Sequence, residues 1–176
     1  MSKMDIDAHN YDKVFKDAFS IFSDKVLDFL DLQFPAIQRF METQIAEIET
    51  KGDRMDLNFW FEDGSILHIE EEVHLSVEDV IRFAAYDVEL YHRYKTKINT
   101  VALCLNSVSR SNCNIDAGSF VYKVQVVDMS ERDGDAKLNE LLAKVKTGAM
   151  VNELELIFLP LMKRAACRRN NYSKKL

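Results

Sequence analysis

The stretch from Asp53 to His74 limits the choice of fold more than any other part of this chain, because both sides of a glycine loop alternate as strands. On the first arm Leu57, Phe59 and Phe61 fall on one face and Asp56, Asn58 and Trp60 on the other, the period of a β-strand. On the return arm Leu67, Ile69 and Val73 share a face, and His68, Glu70, Glu72 and His74 share the opposite one. The stretch therefore predicts a β-hairpin with four polar side chains lined up on one face of its second arm.

The loop sets the register. Glu62-Asp63-Gly64 suits a three-residue connection whose last residue is left-handed, a conformation glycine adopts without a Cβ clash. Phe61 then opposes Ser65, Trp60 meets Ile66, Asn58 meets His68, and Asp56 meets Glu70, with Cβ atoms on a shared face about 4.5–5.5 Å apart. A four-residue loop would instead set Asp56 against Glu71 and mix the faces of every pair. Like charges directly opposite are unfavourable unless something offsets them. A divalent cation does so, and Mg²⁺ commonly binds through one or two carboxylates plus substrate phosphate.

Length and composition bound the rest. At 176 residues, 47% hydrophobic and 30% charged, the chain reads as one globular domain over 1–160 with a basic appendage over 161–176. No apolar run reaches the roughly 18 residues of a membrane span, and the charged, polar N-terminus does not read as a signal peptide, so the expectation is a cytoplasmic protein without membrane contact. Cys104, Cys113 and Cys167 are odd in number, widely spaced and without a CxxC, which points to reduced thiols rather than a disulfide framework or a zinc site. The net charge of −6 is uneven: from Leu161 onward there are six Lys or Arg and no acid, so the tail carries +6 and the remainder −12. An acidic body argues against broad non-specific affinity for nucleic acid, while the basic tail can supply local phosphate contacts or be a solvated, frayed end.

In chain order, Asn10 is a candidate N-cap for a helix whose stripe is Val14, Phe15, Ala18, Phe19 and Phe22, continued after Ser23-Asp24 by Val26, Leu27, Phe29 and Leu30. Pro35 ends this region, and Gln44–Thr50 is the candidate first strand ahead of the hairpin. Ser76 caps a second helix with Glu78 and Asp79 in its first turn and Val80, Ile81, Phe83, Ala84, Val88, Leu90 and Tyr91 as its buried side, ending near Arg93–Lys97. Ile98–Leu105 has the near-continuous apolar character of a strand covered on both faces. A Ser- and Asn-rich loop over Asn106–Ser119 leads to a strand over Phe120–Val127. A helix follows from Asp133 to about Thr147, striped by Leu138, Leu141, Leu142 and Val145 and stopped by Gly148, and Leu154–Leu159 reads as a last strand. The sum is an α/β fold with a mixed sheet flanked by helices.

Asp56, the hairpin, Glu70-Glu71-Glu72, and a helix carrying Arg82-Phe83-Ala84-Ala85-Tyr86 together resemble the PD-(D/E)XK nuclease superfamily. In detail the chain resembles the branch of recombination-promoting nucleases, also called YhgA-like transposases. Members of that branch open with a segment like Tyr11-Asp12-Lys13-Val14-Phe15-Lys16, continue with an Arg-x-Asp strand like Arg54-Met55-Asp56 and a glycine turn, and then carry an Ile-Glu-x-Gln strand where this chain has Ile69-Glu70-Glu71-Glu72. A helix with Arg-x-x-x-Tyr spacing follows, matched by Arg82 and Tyr86. The resemblance covers about residues 10–130 and rests on the order and spacing of the motifs more than on any one of them.

The resemblance implies a restriction-endonuclease-like α-β-β-β-α-β core and Mg²⁺- or Mn²⁺-dependent hydrolysis of DNA phosphodiesters. Asp56 and Glu70 match the two metal-binding acids, and the backbone carbonyl of Glu71 matches the usual third protein oxygen. Glu72 completes the catalytic set, Arg82 is expected to bind phosphate, and Tyr86 to line the site. Glu72 departs from the superfamily's Lys and from the Gln frequent in this branch: a carboxylate can accept a proton or bind a second metal but cannot stabilise developing negative charge. His68 and His74 lie too far apart along a strand, at about 3.3 Å per residue, to bind one ion with both acids, and read as structural or exposed polar residues.

Two functional classes follow. The first is a metal-dependent DNA endonuclease linked to recombination or mobile elements, for which cutting both strands calls for two sites and hence a homodimer. The second, motivated by Glu72 and the acidic body, is a nuclease-fold protein that no longer cleaves and acts as a binding or regulatory module.

Overall fold

A computed structural model describes residues 8–41, 56–109 and 112–163, the side chains of 8–13 and of residue 56 excepted. Its elements are α1 (Ala8–Ile21), α2 (Val26–Leu30), β1 (Ile37–Met41), β2 (Asp56–Phe61), β3 (Ile66–Glu72), α3 (Val77–Tyr94), β4 (Ile98–Cys104), β5 (Asn114–Asp116), β6 (Val121–Lys123), β7 (Gln125–Asp128), α4 (Gly134–Thr147) and α5 (Glu153–Phe158). Five strands form one mixed sheet in the order β1-β2-β3-β4-β7. β1, β2 and β3 run antiparallel, and β3, β4 and β7 run parallel. A parallel neighbour cannot be reached by a tight turn, so α3 carries the chain from the end of β3 back to the start of β4. β5 and β6 pair separately as a small hairpin.

Two helical layers sandwich the sheet. On one face Leu57, Phe59, Phe61, Leu67, Ile69, Val101 and Leu103 meet Phe15, Phe19, Phe29, Leu30 and Phe158 in a single apolar cluster. Phe158 lies at its centre, with ring centroids 4.5 Å from Phe15, 5.1 Å from Phe19 and 4.9 Å from Phe29. α3 covers the opposite face, where Val80, Phe83 and Leu90 pack on Ala102, Cys104 and Ile66. β4 is thus buried on both sides, in keeping with its apolar run.

Several elements differ from the sequence reading. α1 begins at Ala8, so Asn10 lies within its first turn rather than capping it. The candidate strand Gln44–Thr50 lies outside the described residues, and β1 is formed upstream by Ile37–Met41. The expected strand Phe120–Val127 is divided at Val124: β6 pairs with β5, β7 pairs with β4, and Val124 N–H donates to the Cys113 carbonyl. Leu154–Leu159 is largely helix α5, not a strand. Asn152 caps it by accepting from the Leu154 N–H at 3.0 Å, Glu153 and Glu155 sit in its first turn, and Leu154 and Phe158 are fully buried one turn apart. A short apolar run does not separate buried strand from buried helix by periodicity, and here the cap decides.

The helical stripes are also narrower than expected. Ile81, Val88 and Tyr91 on α3 and Leu142 and Val145 on α4 are exposed, because each helix touches the body along one side only. Val73 and His74 fall in a bend beyond the end of β3 and are exposed. Leu161–Lys163 pack with the body: Met162 is buried, and Lys163 exchanges backbone hydrogen bonds with Arg132 and Gly134. Cys104 and Cys113 are free thiols. No helix among the described residues is long and apolar enough to cross a membrane.

Candidate active site

The hairpin register is the one the glycine loop dictates. Gly64 adopts φ +80°, and the Phe61 N–H donates to the Ser65 carbonyl at 2.9 Å. Asp63 secures the turn by accepting from the Ser65 N–H and hydroxyl, which lowers its own carboxyl pKa. From that loop the partners run Trp60 with Ile66, Asn58 with His68, and Asp56 with Glu70. Hydrogen-bonded and non-hydrogen-bonded pairs alternate along an antiparallel ladder, and Phe61 with Ser65 is of the bonded kind. Asp56 and Glu70 are then a non-bonded pair, the closer class, with Cα atoms about 4.5 Å apart.

The polar side of β3 is not a solvated face, since α3 lies across it. Ser76 and Asp79 cap α3 reciprocally: Ser76 Oγ accepts from the Asp79 N–H at 3.1 Å and Asp79 Oδ2 accepts from the Ser76 N–H at 3.0 Å. With the start fixed, helical spacing turns Phe83, Tyr86, Asp87 and Leu90 onto the sheet. Beneath them lie Asn58, His68, Glu70 and Glu72, all buried.

His68 is fully buried at the centre of this layer. Its Nδ1 lies 2.7 Å from Asp87 Oδ1 and its Nε2 lies 3.2 Å from Glu70 Oε1. The first contact is a hydrogen bond; the second is an ion-pair distance without hydrogen-bond geometry, and Nε2 has no hydrogen-bond partner among the described residues. Burial works against a charged ring, but the Asp87 and Glu70 carboxylates beside it outweigh that and push the His68 pKa up to about 10. Asp87 Oδ2 also accepts from the Thr100 hydroxyl and, at 2.6 Å, from the Tyr122 hydroxyl. Burial first, and the Asp87 charge second, push the Tyr122 phenol well above its ordinary range.

Glu70 is 2% exposed. Its Oε1 faces His68, whereas Oε2 is buried without a hydrogen-bond partner among the described residues. Glu72 is also buried, and Arg82 reaches it from α3: Nη2 lies 2.5 Å from Glu72 Oε1 while Nη1 lies 2.8 Å from Asp79 Oδ1. Burial disfavours the Arg82 charge, but the bond to Glu72 and the proximity of Glu70 raise its pKa overall. Tyr86 accepts from Asn58 Nδ2 at 3.0 Å and tilts over the His68 ring with centroids 4.7 Å apart. Of the residues expected at the site, then, Glu70, Glu72, Arg82 and Tyr86 are gathered under α3, and the register sets Asp56 across from Glu70.

The sequence reading expects His68 to be structural or exposed; it is fully buried and bonded to Asp87, which excludes the exposed alternative. Asp87, Thr100 and Tyr122 were missed. Asp87 had a legible signal, an acid set among Phe83, Ala84 and Leu90 on the inward side of α3. Thr100 and Tyr122 come from β4 and β6 and meet Asp87 only through the tertiary fold.

An orphaned buried carboxylate oxygen across the sheet from a second acid fits a hard cation with oxygen ligands, Mg²⁺ or Mn²⁺. Among the described side chains no group of three or more His, Cys, Asp or Glu is gathered as a metal site. No family model, curated protein or solved structure matches the chain.

Proposed function

We propose that the chain is a metal-dependent DNA endonuclease of the PD-(D/E)XK kind, in the recombination-promoting branch, acting in the cytoplasm. The observation that carries this reading is the pairing of Asp56 with a buried Glu70 whose Oε2 has no described partner. The topology supports it: a helix, an antiparallel three-strand meander, a crossover helix and a parallel fourth strand follow in the α-β-β-β-α-β order the resemblance implies.

Asp56, Glu70 and the Glu71 carbonyl would hold Mg²⁺ or Mn²⁺. When bound, the ion polarises the phosphodiester and lowers the pKa of a water. Arg82 answers the difficulty raised by Glu72. The superfamily's Lys is replaced by a carboxylate, and α3 delivers a guanidinium to that carboxylate, restoring a fixed positive charge beside Glu70. A planar guanidinium held on one edge by Glu72 and Asp79 is suited to phosphate oxygen on the other. Tyr86 walls the site, and its bond with Asn58 ties α3 to β2. Two-strand cleavage would use a homodimer, for which the exposed Val77, Ile81, Val88 and Tyr91 along α3 supply apolar surface.

One observation favours the second reading, a binding module that no longer cleaves: Arg82 is engaged by two carboxylates at once. A single assay separates the two. Purified protein is incubated with supercoiled plasmid in Mg²⁺ or Mn²⁺, beside Asp56→Ala and Glu70→Gln. Nicking by wild type that both substitutions abolish is the expected result. Nicking that survives Asp56→Ala removes the proposed site, and DNA retention without nicking selects the binding module.

A further inference from the structure

The proposed reaction leaves His68, Asp87 and Tyr122 without a part, although His68 and Asp87 are buried and bonded to each other and half-buried Tyr122 bonds Asp87 in turn. Asp87 is held from three strands: by His68 on β3, by Thr100 on β4 and by Tyr122 on β6. The same carboxylate, with Thr100 and Tyr122, lines a cleft of about 520 Å³ beside the start of β4, so the Tyr122 end of this row is open to solvent while the His68 end lies beside Glu70. His68, Glu70 and Asp87 together could have been replaced by apolar residues at little cost or a gain in stability, because buried charges surrender hydration that their partners repay only in part.

We propose that His68, held by Asp87, is a positioning residue for Glu70: it stands at ion-pair distance from Oε1 and leaves Oε2 as the oxygen that meets the cation. The inference deepens the metal-dependent reading and rests on it. One consequence makes the device useful: a glutamate already lodged against His68 has less rotamer freedom left to lose when a cation fixes it. His68 itself touches Glu70 rather than substrate, so its part is positioning and not catalysis.

The test is Mn²⁺ binding by calorimetry on the full chain, with ¹⁵N spectra of the His68 ring as the second readout. Wild type is expected to bind Mn²⁺, Glu70→Gln to lose binding, and Asp87→Asn to weaken it by about 10–100-fold, the usual cost of removing an outer support of a metal ligand. Tyr122→Phe deletes one hydroxyl at the rim of the cleft and keeps the ring, so it serves if Asp87→Asn does not fold. It should weaken binding in the same direction by less. Addition of Mg²⁺ should shift the Nε2 signal of His68 in wild type and leave it unmoved in Glu70→Gln. Asp87→Asn and Tyr122→Phe binding Mn²⁺ as tightly as wild type, or a His68 signal indifferent to Mg²⁺ in a protein that binds the ion, overturns the positioning role alone. A folded wild type that takes up no Mn²⁺ overturns the metal reading, and the role assigned to His68 falls with it.

Discussion

The two faces of the central sheet come from the same strands, and one is apolar throughout its cluster while the other sets a row of buried polar side chains among apolar ones. Toward α1, α2 and α5, Leu57, Phe59, Leu67 and Ile69 meet Phe15, Phe19, Phe29 and Phe158. Toward α3, the residues between them, Asn58, His68, Glu70 and Glu72, meet Tyr86, Asp87 and Arg82. The first face gains from non-directional burial at about 25 cal/mol per Å² and tolerates modest rearrangement. The second gains little net stability from burial and depends on every partner staying in place. A chain that could have made both faces apolar has kept one polar, and departures of this kind from an all-consistent core concentrate at functional sites.

Breaking either face should be costly for different reasons. Phe158→Ala empties the centre of the aromatic cluster and is expected to cost about 3–5 kcal/mol in urea unfolding. His68→Leu on the other face should cost about as much, about 3–5 kcal/mol, although it adds apolar surface, because it strands Glu70 and Asp87 as buried charges. The contrast sharpens when the partners go too. His68→Leu with Glu70→Leu and Asp87→Leu should recover the loss and leave a chain as stable as wild type or more so by about 1–4 kcal/mol, without metal binding. If the triple variant is instead as unstable as His68→Leu, the polar face is there for stability and not for a site.

A smaller effect separates the faces by pH. The aromatic cluster is built from apolar side chains, while His68 is raised in the folded state from 6.5 to about 10 by its two carboxylates against the cost of burial. The folded chain therefore holds a proton that the unfolded chain releases above pH 6.5. Its contribution is complete below that value and is lost as pH rises toward 10. Urea midpoints measured across this window should fall in wild type and flatten in the triple variant.

Much of this arrangement was legible in the sequence where the determinants are local. Gly64 after Glu62-Asp63 fixed the hairpin register, and Ser76 with Asp79 fixed the start of α3. The near-continuous apolar run Ile98–Leu105 declared a strand covered on both sides. Elements decided by distant packing were not legible. α5 was read as a strand because Leu154–Leu159 is short and apolar, and its helical form depends on the Asn152 cap and on the seat of Phe158 among Phe15, Phe19 and Phe29. The site divided in the same way. Asp56 and Glu70 followed from the loop, whereas His68 with Asp87, and Arg82 with Glu72, are meetings of strand and helix that no spacing along the chain encodes.

If the polar face serves the proposed site, Glu70 Oε2 and Asp56 together hold a cation. A crystal grown in Mn²⁺ and measured for anomalous scattering tests it in one experiment. A peak about 2.1 Å from Glu70 Oε2 and shared with Asp56, with His68 still on Oε1, is the predicted result. A crystal that binds Mn²⁺ elsewhere, or nowhere, with Oε2 of Glu70 hydrogen-bonded to a protein donor, would contradict it.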